Sequence, residues 1–194
     1  MSDLMLENEF SVMSATQAAA RLIGCELIRT IGNHKLIGRI VETEAYDQSD
    51  QASHSYKGET PRNSVMFGPA GRLYVYFTYG MHYCMNVVVG ANGYGAAVLI
   101  RALEPIAGHD VMSLNRSTSD LRQLLNGPAK LTQALAINKQ FNGHNLVFAP
   151  FELKLNSALA GSDIEWSRRI GIKEPPGDIK LWRACLRGSQ YLSK

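Results

Sequence analysis

The run RLYVYFTYGMHYCMNVVVGANGYGAAVLIR, from Arg72 to Arg101, decides the fold. Between its two arginines lie 28 residues without a formal charge, long enough to span a bilayer were they continuously apolar. They are not: four Gly, five Tyr, Asn86 and Asn92 cut the run into strand-length pieces. From Arg72 to Thr78 the alternation is clean. It puts Leu73, Val75 and Phe77 on a face that packs, and Tyr74 and Tyr76 on a face that presents phenols. Two more strands are expected at 83–89 and 96–102, separated by the Gly-Ala-Asn-Gly-Tyr-Gly turn at 90–95, with Glu104-Pro105 ending the sheet segment.

On the amino-terminal side, residues 14–22 read as a helix with Ala15, Ala18, Ala19 and Leu22 on one face, Ser14 or Ser11 as cap and Gly24 as stop. Strands at 25–30 and 35–43 flank Ile31-Gly-Asn-His34 and form a hairpin. Thr60-Pro61 has the form of a helix cap with Pro in the first turn. On the carboxyl-terminal side, helices are expected at 107–114, 119–125 and 128–137, and late strands at 151–155, 165–170 and 181–187. No repeat or linker interrupts the chain, so the expected fold class is α+β, one domain over residues 1–194 built on an antiparallel sheet.

With 194 residues and 45% apolar content, the chain has a core large enough to need no disulfide or metal staple. Cys25, Cys84 and Cys185 are odd in number and far apart, which fits a reducing compartment and no metal site. Acids in the first ten residues argue against an export signal, so a cytoplasmic location is expected. The net charge of +3 is unevenly spread: −4 over residues 1–60, +2 over 61–165 and +5 over 166–194. A polyanion would gain from that basic end through counterion release; a solvated face explains it as well.

Glu42 and Glu44 are two apart, so a shared strand gives them a shared face, either as a base or as ordinary surface charge. Arg101 closes an apolar strand, where a cation needs an anionic partner, with Glu104 the nearest in sequence. Tyr74, Tyr76 and Tyr79 beside Met81 suit stacking on bases, or a half-buried sheet face. The glycine-rich turn at 90–95 matches neither a dinucleotide fingerprint nor a P-loop, so no cofactor is expected.

Six linked segments are together similar to the alkyladenine (3-methyladenine) DNA glycosylase family: Ile40-Val-Glu-Thr-Glu-Ala-Tyr46, Thr60-Pro-Arg-Asn63, Leu73-Tyr-Val-Tyr76, Tyr79-Gly-Met-His-Tyr-Cys-Met-Asn86, Leu99-Ile-Arg-Ala-Leu-Glu-Pro105 and Gly127-Pro-Ala-Lys-Leu131. The resemblance spans about residues 14 to 188. It implies a curved antiparallel sheet with a projecting β-hairpin that enters DNA, and a monofunctional hydrolase of the N-glycosidic bond of alkylated or deaminated purines, acting after base flipping as the first step of base excision repair.

By the same resemblance, Glu44 is the general base and Arg101 holds base and water. Tyr46, His54 and Tyr76 enclose the extruded base, and Asn86 crowds the 2-amino group of guanine. Tyr79 is the wedge in the duplex, with Met81 beside it. Arg168, Arg169, Arg183 and Arg187 are candidate contacts to the DNA backbone. The expected partner is double-stranded DNA containing damaged purines, a monomer is expected, and no metal, cofactor, catalytic lysine or membrane is called for. The segment between Tyr46 and His54 is one residue shorter than the family pattern, and the basic amino-terminal extension of some members is absent, which implies a compact bacterial-type protein. Two other readings use part of this pattern. A non-catalytic nucleic-acid-binding module would not need Glu44, and a hydrolase of free nucleosides would need neither Tyr79 nor the basic end.

Overall fold

The computed structural model describes residues 2–157, 159–173 and 179–193. Its centre is a 14-residue strand, β2 (His34–Asp47), which pairs along one edge with β5 (Ala96–Ala107). Along the other edge it pairs first with β1 (Glu26–Ile31) and then with β8 (Arg183–Leu186). The remaining strands are β3 (Leu73–Thr78), β4 (His82–Val88), β6 (Phe151–Lys154) and β7 (Ile164–Ser167). All pair antiparallel in one eight-stranded sheet of order β3-β4-β5-β2-β1-β6, with β8 on β2 and β7 on β8. The fold is α+β, a curled antiparallel half-barrel with helices on its apolar face.

Five helices belong to that layering: α1 (Ser2–Ser11), α2 (Ala15–Leu22), α3 (His109–Arg116), α4 (Leu121–Leu124) and α5 (Pro128–Ala134). Ser14 caps α2 in a capping box with Gln17, so two orphan donors of the first turn are satisfied. Ala15, Ala18, Ala19 and Leu22 then face the core with Leu36, Ile40, Val98, Ile100 and Leu103. Helix α1, which sequence periodicity did not indicate, is anchored there by Leu6 and Phe10.

Two irregularities in the β2–β5 ladder decide which side chains face the helices and which face away. The register runs from Ile40↔Leu103 to Glu42↔Ala102 and then Thr43↔Ile100, leaving Val41 and Arg101 without direct partners. An extra residue reverses side-chain parity. Before it, Leu36 and Ile40 enter the main core; after it, Ala45 does, and Thr43 Oγ1 donates to the Ala19 carbonyl of α2 at 3.0 Å. Glu42, Glu44 and Tyr46 are thereby turned to the opposite face. On β5, Ala96, Val98 and Ile100 share the helix side with Leu103, so Arg101 turns with the glutamates.

Several expectations are corrected. Thr60-Pro61 starts only a turn, followed by a single 3-10 turn at Ser64–Phe67. Glu104-Pro105 does not end β5, which continues to Ala107. The face of β3 expected to show its phenols is covered: Tyr74 is buried with Met66, Val88 and Ala97 under the loop before β3. Phe77, expected in the core, lies exposed against the Tyr83 ring because β3 and β4 project there beyond their neighbours.

Candidate active site

The face turned away from the helices carries a buried cluster of charge. Glu42 and Glu44 are both 0% exposed and Arg101 is 7% exposed, so neither carboxylate is the surface charge that sequence alone allowed. Arg101 bridges them, with Nε 3.1 Å from Glu42 Oε1 and Nη1 3.2 Å from Glu44 Oε2. Glu104, its nearest acid in sequence, pairs instead with Arg39.

The two glutamates are held differently. Glu42 accepts from Arg101 and from Arg183 Nε (2.6 Å) and Ser193 Oγ (2.8 Å) at Oε1, while the Ser193 backbone N–H donates to Oε2 (2.5 Å). It takes four hydrogen bonds from protein donors, three of them on Oε1. Glu44 accepts the Tyr46 hydroxyl (2.7 Å) and Arg101 at Oε2, but only the Ile170 N–H (2.7 Å) at Oε1. That leaves acceptor capacity on Oε1 of the second carboxylate.

Tyr46 connects this cluster to a pocket of about 120 Å3 lined by Tyr46, Ala52, His54, Met66, Tyr74, Tyr76, Asn86 and Ile172. Its lining is aromatic with a few polar tips, as expected of a site for a flat heterocycle. The His54 ring stands edge-on to Tyr76, centroids 4.6 Å apart, and its Nδ1 lies 3.0 Å from the Tyr74 hydroxyl. His54 is open to solvent on one side, yet partial desolvation, and Arg62 nearby, lower its pKa, which favours the neutral ring at pH 7. Burial pushes the Tyr74 phenol up to about 12 and raises Tyr46 and Tyr76 further, so all three keep their protons. Asn86 donates to the Tyr74 carbonyl at 3.0 Å, which fixes the orientation of its amide.

The loop bearing His54 has its own clamp, built on Asn63. Asn63 is buried and donates to the carbonyls of His54 (2.7 Å) and Gly58 (3.1 Å), while its Oδ1 accepts from Thr60 N and Oγ1 (2.6 and 2.9 Å). The segment Thr60-Pro-Arg-Asn63 therefore ties a wall of the pocket rather than starting a helix.

At the far end of β3 and β4, the three-residue turn 79–81 has Tyr79 at φ 52° and Gly80 at φ 69°. Hairpin turns of this kind favour Asn, Asp or Gly, and a left-handed backbone costs other residues about 1–2 kcal/mol. Tyr79 is nevertheless there, 89% exposed, with Met81 70% exposed beside it.

The four arginines expected along DNA separate. Arg168 and Arg187 are exposed, the latter paired with Glu165. Arg183 is tied to Glu42, and Arg169 is 4% exposed, paired with Asp50 and packed on the Tyr46 ring. Partners more than a hundred residues distant hold both of these inside, so their charge is not the open patch that composition suggested. Among the described residues no group of His, Cys, Asp and Glu is arranged to hold a metal, and no helix is long and apolar enough to cross a membrane.

Comparisons with other proteins find relatives similar to this chain over most of its length. A relative from Carboxydothermus hydrogenoformans is 48% identical over 192 residues, 98% of this chain and 100% of its own. One from Francisella tularensis subsp. tularensis (strain SCHU S4) is 52% identical over 165 residues, 84% of this chain and 86% of its own. One from Methanoculleus marisnigri is 44% identical over 194 residues, covering 98% and 100%. All three bear the name "Putative 3-methyladenine DNA glycosylase". The family model for methylpurine-DNA glycosylase matches residues 9–190, which hold every strand of the sheet, and the chain belongs to that family of hydrolytic DNA glycosylases.

Proposed function

We propose that residues 1–194 form one monofunctional glycosylase domain, active as a monomer. It takes alkylated and deaminated purines, of the 3-methyladenine, 7-methylguanine, hypoxanthine and ethenoadenine class, from double-stranded DNA after flipping them out of the stack. The observation that carries this reading is the joint between Glu44 and the pocket: the carboxylate is bonded by the hydroxyl of Tyr46, whose ring is a wall of the slot.

In this mechanism Tyr79 enters the duplex and replaces the stacking lost when the nucleotide leaves, with Met81 beside it. The base slides between Tyr46 and the His54–Tyr76 pair, whose electron-rich faces favour a purine made cationic by methylation. Asn86, held by the Tyr74 carbonyl, crowds the exocyclic 2-amino group of guanine. As the bond from C1′ to the base nitrogen breaks, its electron pair leaves with the base. Water attacks C1′ and gives its proton to Oε1 of Glu44, and the carboxylate also stabilises the positive sugar. Arg101, already fixed by Glu42, holds Glu44 in place and orients the water. The products are a free base and an intact abasic strand. Arg168 and Arg187 contact the phosphates, and a protein of this kind works in the cytoplasm beside the chromosome.

The test uses two duplexes, one with a single hypoxanthine and one with a single 7-methylguanine, with alkali to cleave abasic sites. Glu44→Gln keeps the shape and loses the base, so release should fall by about 10²–10⁴-fold while affinity for the hypoxanthine duplex stays within severalfold. Near-wild-type single-turnover rates for Glu44→Gln would refute the assignment of the base. Absence of release from both duplexes by the wild type would refute the substrate class.

A further inference from the structure

The segment after β7 holds more of the site than its loop character suggests. The Arg169 guanidinium lies 4.7 Å from the centroid of the Tyr46 ring and 5.3 Å from that of Trp182. Its Nη1 donates to the Ala45 carbonyl at 3.1 Å and pairs with Asp50, which also takes Lys180 Nζ at 3.3 Å. One residue on, the Ile170 N–H is the donor on Glu44 Oε1; two residues further, Ile172 lines the base pocket. Four residues of loop thus meet the ring, the carboxylate and the slot.

We propose that Arg169 is a positioning residue for base excision. It fixes the Tyr46 ring as the wall on which the base stacks, and by pinning its own backbone it keeps the Ile170 N–H on Glu44. An arginine suits the place better than a lysine. A planar guanidinium lies against two rings and still reaches a carbonyl and a carboxylate in its plane, whereas an ammonium is a point charge without that flat face. Burying such a cation is costly unless its partners are supplied, and Asp50 and Ala45 supply them. This inference rests on the roles given above to Tyr46 and Glu44.

The experiment is a double-mutant cycle of Arg169→Met and Tyr46→Leu, with Arg169→Lys as the conservative variant, read by single-turnover release of hypoxanthine at saturating enzyme. Melting curves identify the folded variants. Misplacing reacting groups by an ångström costs on the order of 100-fold, so Arg169→Met should slow release by about that factor, with Arg169→Lys in between. Because Arg169 acts through Tyr46, the double variant should be scarcely slower than the slower single one. Affinity for an undamaged duplex, and its salt dependence, should stay as in the wild type. A folded Arg169→Met with the wild-type rate, or losses that multiply, would overturn the proposal. So would a salt slope reduced by about one, the mark of a lost phosphate contact. Should Arg169→Met fail to fold, Arg169→Lys decides alone, and a folded lysine variant with an unchanged rate overturns the inference. Failure of the Glu44 assignment would appear separately, in Glu44→Gln that still releases base.

Discussion

The floor of the site and the tip of the β3–β4 hairpin lie in one sheet and are built on opposite terms. At the floor, Glu42 alone accepts hydrogen bonds from Arg101, Arg183 and Ser193, and nothing in that cluster is free to move without leaving a charge unpaired. At the tip, Tyr79 and Met81 lie almost entirely in solvent. Catalytic groups gain from being fixed before the substrate arrives, because no reorganisation then remains to be done in the transition state. The wedge proposed for Tyr79 would gain from being bare, since any packing that held its ring in the free protein would have to be given up in the duplex. The fold thus concentrates its buried ion pairs and hydrogen bonds at the floor and leaves the hairpin tip nearly without them.

The sharpest way to break this comparison is Glu42→Leu. Removing one partner from a buried ion network leaves Arg101 and Arg183 inside with fewer acceptors, and such losses cost about 3–5 kcal/mol. Denaturant unfolding should show a loss of that size, and a change under about 1 kcal/mol would mean that the network is not what holds the floor. Tyr79→Ala is its counterpart. Stability should move by less than about 0.5 kcal/mol, as for an exposed residue. Affinity for the lesion duplex should fall by about 1–3 kcal/mol, the contribution of one stacked ring. A lesion in a single strand leaves little to fill, so the loss there should be smaller, and equal losses on both would contradict a wedge.

Much of the floor was legible in the sequence, and the reason is local. Glu42 and Glu44 share a face because they are two apart on one strand, and that parity survives any event outside the pair. What could not be read is which face. One unpaired residue at Val41 and another at Arg101 turn the acids away from the helices, and an inserted residue leaves no mark on composition or periodicity. Arg169 was misread for a related reason. A run of basic residues near the chain end looks like open surface until the fold brings Asp50 and the Ala45 carbonyl to it from over a hundred positions away. Tyr74 was misread because its cover, Met66 with Val65 and Phe67, comes from the loop before β3, and alternation along β3 says nothing of what lies above it. The projecting hairpin came from the family resemblance alone, and Phe77 was misplaced because alternation along β3 does not show where the neighbouring strand β5 stops pairing.

Between floor and tip stands His54, where the expected effect is smallest and the sign is decided by proton linkage. Desolvation first, and the Arg62 charge second, lower its pKa in the folded protein. The unfolded chain takes up this proton around the ordinary histidine value of about 6.5, while the folded chain waits until a lower pH. In that interval the unfolded state binds more protons, so stability is complete above it and is lost as pH falls through it. Asp50 does not mimic this effect: its pKa is lowered in the folded state, mainly by Arg169 against the opposing cost of burial, so its contribution is lost only in the more acidic carboxylate range. His54→Gln removes the titration and leaves a neutral polar side chain near the Tyr74 hydroxyl. The fall in melting temperature between pH 7.5 and pH 5.5 should therefore be smaller in His54→Gln than in the wild type, with the two proteins converging at the lower pH. An identical fall in both would mean that the pocket tolerates a charged His54 as well as water does. The slot would then belong with the open tip of the hairpin rather than with the closed floor.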